Sequence, residues 1–166
     1  DWVNRRADEK YFRLLAFGKA LRKARVHVEK DLRRKTLNER KVLAICVAVL
    51  QETLIRVGSS IYEKNYNSYG LSTLKDKHLK QADSTTFLCF VGKKGVKQEV
   101  VLNDKRLVKL VKKCKDIPGQ DLFQFYTKGK ERKAVDSGMI NQYIKEITGD
   151  DFTAKDFRTW GGTLEA

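Results

Sequence analysis

The sequence predicts an α+β fold that is mainly α, with a small antiparallel sheet inserted after the third helix. Three observations carry that reading. Val42, Ile45, Cys46, Val49, Leu50 and Leu54 recur at helical spacing and line one face of a helix. Thr86 to Val91 and Lys97 to Leu102 are β-rich runs joined by Gly92-Lys-Lys-Gly-Val96, a turn of hairpin length. Beyond Leu102 the pattern is helical again, and a side chain able to cap stands ahead of each stretch.

Taken in order, Asp8 to Phe17 gathers Phe12, Leu14, Leu15 and Phe17 before Gly18 and reads as a first helix. Lys19 to Lys35 is a very basic second one, with Leu21, Val28 and Leu32 as its sparse apolar positions. Asn38 caps the third, the apolar helix, by accepting from early backbone N–H groups, and that helix ends near Gly58. Tyr69 to Leu74 and Lys77 to Leu79 read as short strands that precede the hairpin. Asn103 caps a helix to about Cys114. Asp136 or Ser137 caps another that runs to Thr148 and closes at Gly149. Thr153 opens the last, with Asp156 placed as a capping-box variant. The organisation expected is a helical subdomain over 1–58 and a hairpin-containing, helical part over 59–166.

Composition narrows the function classes. Lys and Arg number 35 against 21 Asp and Glu, a net charge of +14, which suits a polyanionic partner or a merely soluble lysine-rich surface. The longest apolar run, Val42 to Leu50, falls well short of the roughly 20 residues that span a bilayer. The first residues carry no secretory pattern. Cys46, Cys89 and Cys114 form no Cys-x-x-Cys pair, and only His27 and His78 are available to join them, so neither a zinc site nor a disulfide framework is expected. Cys46 and Cys89 read as buried reduced thiols of an intracellular protein. No carboxylate cluster suggests a divalent metal site.

Three cations stand in distinctive contexts. Arg56 lies in Thr53-Leu-Ile-Arg-Val-Gly58 at the end of the apolar helix, where an arginine also gains from the helix dipole without any catalytic role. Lys93 lies in Phe90-Val-Gly-Lys-Lys-Gly95, where a solvated turn lysine or a backbone contact to nucleic acid is the plainer reading, with Lys94 and Lys97 beside it. Arg158 lies in Thr153-Ala-Lys-Asp-Phe-Arg-Thr-Trp-Gly-Gly-Thr163, early in a helix, where the dipole disfavours a cation. Such an arginine wants an anion, and Asp156 or Glu165 can supply one.

In that order these motifs resemble the type IB DNA topoisomerases, specifically their compact bacterial and poxvirus-like branch. The resemblance extends through Gly58 and Tyr62, through Tyr69-Gly-Leu-Ser-Thr-Leu-Lys-Asp-Lys-His78, and through Lys155-x-x-Arg158 followed by an aromatic residue and Gly161. The early Phe12-Arg-Leu-Leu-Ala-Phe-Gly-Lys-Ala-Leu21 and Asp31-Leu32 match as well, although Arg22 stands where bacterial members carry proline. The resemblance implies a helical catalytic-core portion of the fold shared with tyrosine recombinases, in a monomeric, cytoplasmic protein that is nucleoid-associated if bacterial. It implies relaxation of supercoiled duplex DNA through a 3′-phosphotyrosyl intermediate, with no cofactor, metal or ATP. Arg56 and Arg158 would stabilise the transition-state phosphate, and Lys93 would be the general acid. Tyr62 and Lys155 would contact the DNA, as would the lysine-rich hairpin with Lys94 and Lys97. The family's late His and its Tyr nucleophile would lie beyond Ala166, and its amino-terminal β-sheet domain upstream of Asp1. Tyr143 and Tyr126 read instead as parts of the fold.

The tyrosine recombinases are the nearest alternative. They carry His-x-x-Arg where this chain has Lys155-x-x-Arg158, which favours the topoisomerase. A non-catalytic DNA-binding module and a basic protein-interaction domain are the other two classes, and the second leaves the order of the motifs unexplained.

Overall fold

The computed structural model describes residues 2–165, without the side chain of Glu165. It opens on one long helix, α1 (Trp2–Leu32). The two amino-terminal helices expected from the sequence are therefore continuous, and Gly18 does not break them. A Cβ on Gly18 would stand 2.5 Å from the Trp160 ring, so the glycine admits an aromatic neighbour instead of ending a helix.

Helix α2 (Glu39–Thr53) starts at Asn38, whose side chain accepts from the Lys41 N–H. Nearly every position from Val42 to Leu50 is buried. A helix apolar on all sides must be enclosed, and α1, the sheet and the later helices all pack on this one. It ends earlier than expected. Leu54 takes the left-handed conformation (φ 58°, ψ 24°) and its N–H bonds back to Leu50. Arg56 therefore stands in the loop beyond the helix, not at its last turn. A short helix, α3 (Ser60–Tyr66), follows, capped by Ser59 and burying no residue.

The expected strands over 69–74 and 77–79 are replaced by two 3₁₀ turns, Leu71–Thr73 and Asp76–His78. The reason lies in where their backbone groups bond. The Leu71 and Ser72 N–H groups donate to the carbonyls of Arg56 and Val57, at 2.8 Å each, so the middle of this stretch bonds to the Arg56 loop and not to a strand. The sheet begins only at β1 (Leu79–Ala82), which pairs with β2 (Thr85–Val91), and β2 pairs with β3 (Lys97–Leu102), all antiparallel. Val91 faces Lys97 across the ladder, so the turn spans 92–96 as the sequence predicts. Cys89 on β2 is only half-buried, contrary to expectation, because the strand's core-facing positions are Thr86, Leu88 and Phe90.

Helix α4 (Lys105–Lys115) is capped by Asp104, not Asn103. The Asn103 N–H is taken instead by the Glu52 carboxylate at 2.6 Å. The sequence reading has no strand for β4 (Gln124–Tyr126) and β5 (Arg132–Ala134), a small hairpin fixed to the Leu37 carbonyl by the Tyr126 N–H. Strands this short carry too little alternation to be read. Helices α5 (Ser137–Thr148) and α6 (Ala154–Glu165) close the chain. Asp136 is the α5 cap and Gly149, at φ 73°, ends it. The Thr153 N–H donates to Asp156 at 2.9 Å, the side-chain-to-backbone half of the expected capping box. Tyr143 lies in the core as read, its hydroxyl donating to buried Asp31 at 2.6 Å.

Candidate active site

The carboxyl end of α2 is the anchor. Leu54, forced left-handed, turns its carbonyl outward, and Arg158 Nε on α6 donates to that oxygen at 2.7 Å. The helices approach closely because position 161 is glycine; a Cβ there would lie 2.5 Å from the Leu54 side chain. Asp156 does not serve Arg158, since it pairs with Arg13 at 2.9 Å, and the Glu165 side chain lies outside the described residues. The terminal nitrogens of Arg158 have no hydrogen bond among the described residues. Burial, and next the charge of Arg56, pull the Arg158 pKa below its ordinary value. Two guanidinium groups are thus held near one another with no carboxylate between them, which is what an anion-binding site requires.

Arg56 is positioned through its backbone. Its carbonyl accepts from Leu71, that of Val57 accepts from the Ser72 N–H and hydroxyl, and Gly58 (φ 86°) rests on Gly70. A Cβ on Gly70 would stand 2.5 Å from Gly58 and 2.7 Å from the Arg56 carbonyl oxygen. The Gly70-Leu-Ser-Thr run is therefore the strap that holds the first arginine. The Arg56 side chain is exposed and makes no ion pair among the described residues.

Lys93 comes from the β2–β3 turn. The Gly92 N–H donates to Val96 at 2.8 Å, and Lys94 adopts a left-handed conformation (φ 64°). Arg56, Lys93 and Arg158, far apart in sequence, line one cavity of about 340 Å³, together with Lys94 and Tyr69. A second cavity of about 210 Å³ adjoins it and is lined by Arg56, Lys93, Tyr69 and Tyr62. Lys97 is exposed and 3.6 Å from Glu99, and Lys155 is exposed on α6 one turn before Arg158; neither lines either of these two cavities. Among the described residues no group of three or more His, Cys, Asp or Glu is placed to hold a metal ion.

Sequence reasoning missed three supports of this site. Tyr69 lines both cavities, and its N–H donates to Val91 at 2.8 Å, tying the Arg56 strap to the Lys93 hairpin. His78 packs edge-on against the Tyr69 ring, with centroids 4.5 Å apart. Lys75 bridges Glu63 at 2.7 Å and Asp121 at 2.6 Å, which secures α3. Burial works against the Lys75 charge, but Asp121 and Glu63 outweigh it and raise its pKa. All three lie inside the Tyr69 to His78 run, which the sequence singles out as a motif without assigning these side chains a role.

Comparison with known proteins settles the family. The family described as the catalytic core of eukaryotic DNA topoisomerase I matches residues 2–166. This chain belongs to that topoisomerase family. Among its relatives, DNA topoisomerase 1B of Acanthamoeba polyphaga mimivirus is 31% identical over 160 residues, covering 94% of this chain and 48% of the viral protein. DNA topoisomerase 1B of Vaccinia virus (strain Copenhagen) is 30% identical over 135 residues, covering 81% of this chain and 40% of that protein. The chain thus spans less than half the length of either topoisomerase. A solved structure of the XerH site-specific recombinase bound to its difH substrate, in a pre-cleavage complex, superposes with a TM-score of 0.57 at 14% identity. That match covers 89% of this chain and 41% of the recombinase. At that identity the likeness is one of fold. The mainly helical fold with its small sheets, as expected from the sequence, is accordingly shared with that site-specific recombinase.

Proposed function

We propose that this chain supplies the charge-stabilising part of a type IB topoisomerase active site, which relaxes duplex DNA by transient cleavage of one strand. The observation that carries the reading is the convergence of Arg56, Lys93 and Arg158 on one cavity, with neither arginine paired to a carboxylate. A tyrosine that these 166 residues do not contribute attacks a phosphodiester. A 3′-phosphotyrosyl bond forms and a 5′-hydroxyl leaves. The bond energy is kept in the covalent intermediate, so reversal needs no nucleotide. Negative charge builds on the non-bridging oxygens, and Arg56 and Arg158 donate to them. The Leu54 carbonyl fixes Arg158 by Nε, leaving its terminal nitrogens for the phosphate. Lys93, on a short turn at the cavity mouth, protonates the departing 5′-oxygen. With this much protein cation present, no divalent metal is called on.

Tyr62, Lys94, Lys97 and Lys155 contact the DNA around that centre. The protein works as a monomer in the cytoplasm. The tested experiment is plasmid relaxation by the protein continued through the nucleophilic tyrosine, without metal or ATP. Relaxation of a plasmid of arbitrary sequence supports the topoisomerase. Strand joining between two specific sites, without relaxation elsewhere, would favour the recombinase reading. Binding without either activity would favour a DNA-binding module.

A further inference from the structure

Lys93 lines both cavities, whereas Arg158 lines only the first and Tyr62 only the second. The Lys93 ammonium nitrogen lies 5.9 Å from the centroid of the Tyr62 ring. That is within the roughly 6 Å reach at which a cation is attracted to an aromatic face. In the free chain, therefore, the ammonium meets the Tyr62 face on the side of the second cavity. Building on the function proposed above, we infer that Tyr62 is a positioning residue: its ring holds the Lys93 ammonium at the border of the reaction cavity, on the side of the second one, until a DNA phosphate enters.

Electrostatics sets the direction of this exchange. Besides Lys93, three cationic side chains line the first cavity, Arg56, Lys94 and Arg158, and only Arg56 of these also lines the second. Arg158 is already disfavoured as a cation by burial and by Arg56. A further cation drawn in among them is repelled by all three. The face of Tyr62 offers the ammonium a negative potential at 5.9 Å, and the neighbouring Tyr66 ring, 5.7 Å away and tilted, flanks it. A phosphate reverses the balance, because it neutralises the guanidinium pair and attracts the ammonium more strongly than a ring does. The transfer needs no backbone motion. The four-carbon lysine stem is flexible, and the turn is closed by the Gly92 to Val96 hydrogen bond. The general acid would thus be withheld until substrate is in place, with one tyrosine serving both as DNA contact and as resting partner of the acid.

Nuclear magnetic resonance of the free chain tests the parking directly. The ε-methylene protons of Lys93 are expected upfield of other lysines, through the Tyr62 ring current. The shift should persist in Tyr62→Phe, which keeps the ring, and vanish in Tyr62→Leu. Far-ultraviolet circular dichroism should be unchanged in both, since α3 buries no residue. Saturation with a short duplex should return the Lys93 protons of the unsubstituted chain to the ordinary lysine position. An unshifted Lys93 in the free chain, or one indifferent to Tyr62→Leu, would overturn the parking. A Lys93 still shifted at saturation would overturn the release. A chain that fails to bind duplex at all overturns the functional reading and the release with it, whereas the free-chain comparison decides the parking independently.

Discussion

Arg56 and Arg158 owe their proposed roles to what they lack. Each is a guanidinium without a carboxylate, facing a shared cavity. Their contacts to the phosphate strengthen as it becomes pentacoordinate, so they count for far more in the transition state than in binding. In a protein that includes the nucleophile, Arg56→Ala or Arg158→Ala should slow cleavage by about 10²–10³ while DNA affinity changes little. Arg→Lys should rescue only in part, since a point charge makes no bidentate pair. Lys93→Ala should differ: on a substrate with sulfur at the 5′-bridging position its defect should disappear, because a thiolate leaves without a proton. Sulfur rescuing Arg56→Ala as well as Lys93→Ala in single-turnover assays would contradict this division of roles. The three cations were legible in the sequence because each sits in a motif. The Leu54 carbonyl that seats Arg158 was not, for a backbone oxygen has no letter and a left-handed leucine breaks the propensity rule.

At the scale of elements, the segment 69–78 does the work that the sequence reading gave to strands. Its glycine, Gly70, meets Gly58 backbone to backbone, and its turn accommodates His78, whose Nδ1 accepts from the Lys75 N–H at 2.9 Å. Gly70→Ala should therefore lower stability by about 1–3 kcal/mol, since backbone cannot yield as a side chain does. It should also displace Arg56; an unchanged urea midpoint with full activity would refute the strap. His78 adds a pH term. Burial, then the charges of Lys77 and Lys75, hold its pKa down to about 4 from 6.5. Above 6.5 neither state binds this proton; below it the unfolded chain takes one up that the fold refuses. Stability should fall as pH drops from 6.5 towards 4, by about 3 kcal/mol at 1.36 kcal/mol per pKa unit. His78→Asn, which keeps an acceptor and cannot titrate, should show a flatter urea-midpoint profile over that window. Periodicity exposed α2, the hairpin, α4 and α5. It could not expose the 3₁₀ strap, because three-residue turns have no period, and it split α1 because Gly18 resembles a stop until Trp160 is known to lie against it.

For the whole molecule, the charge of +14 and the cationic cavity make the same demand for a polyanion. The chain should bind duplex DNA mainly through phosphates, with affinity falling by about 0.9 log unit per log unit of salt for each phosphate neutralised. Binding that ignores salt would refute an electrostatic footprint. Covalent chemistry separates the site from its nucleophile. Of the tyrosines, Tyr143 is buried and bonded to Asp31, Tyr11, Tyr66 and Tyr126 line neither of the two cavities, and Tyr62 lines only the neighbouring one. Tyr69 alone shares the cavity with all three cations, and its ring is packed edge-on against His78. None matches the nucleophile that the resemblance implies. The 166 residues by themselves should therefore bind duplex and leave no protein attached to it after boiling in detergent. That outcome should hold for the unsubstituted chain and for Tyr69→Phe alike. A denaturation-resistant adduct that vanishes in Tyr69→Phe would move the nucleophile into this cavity and overturn the division of the site proposed above.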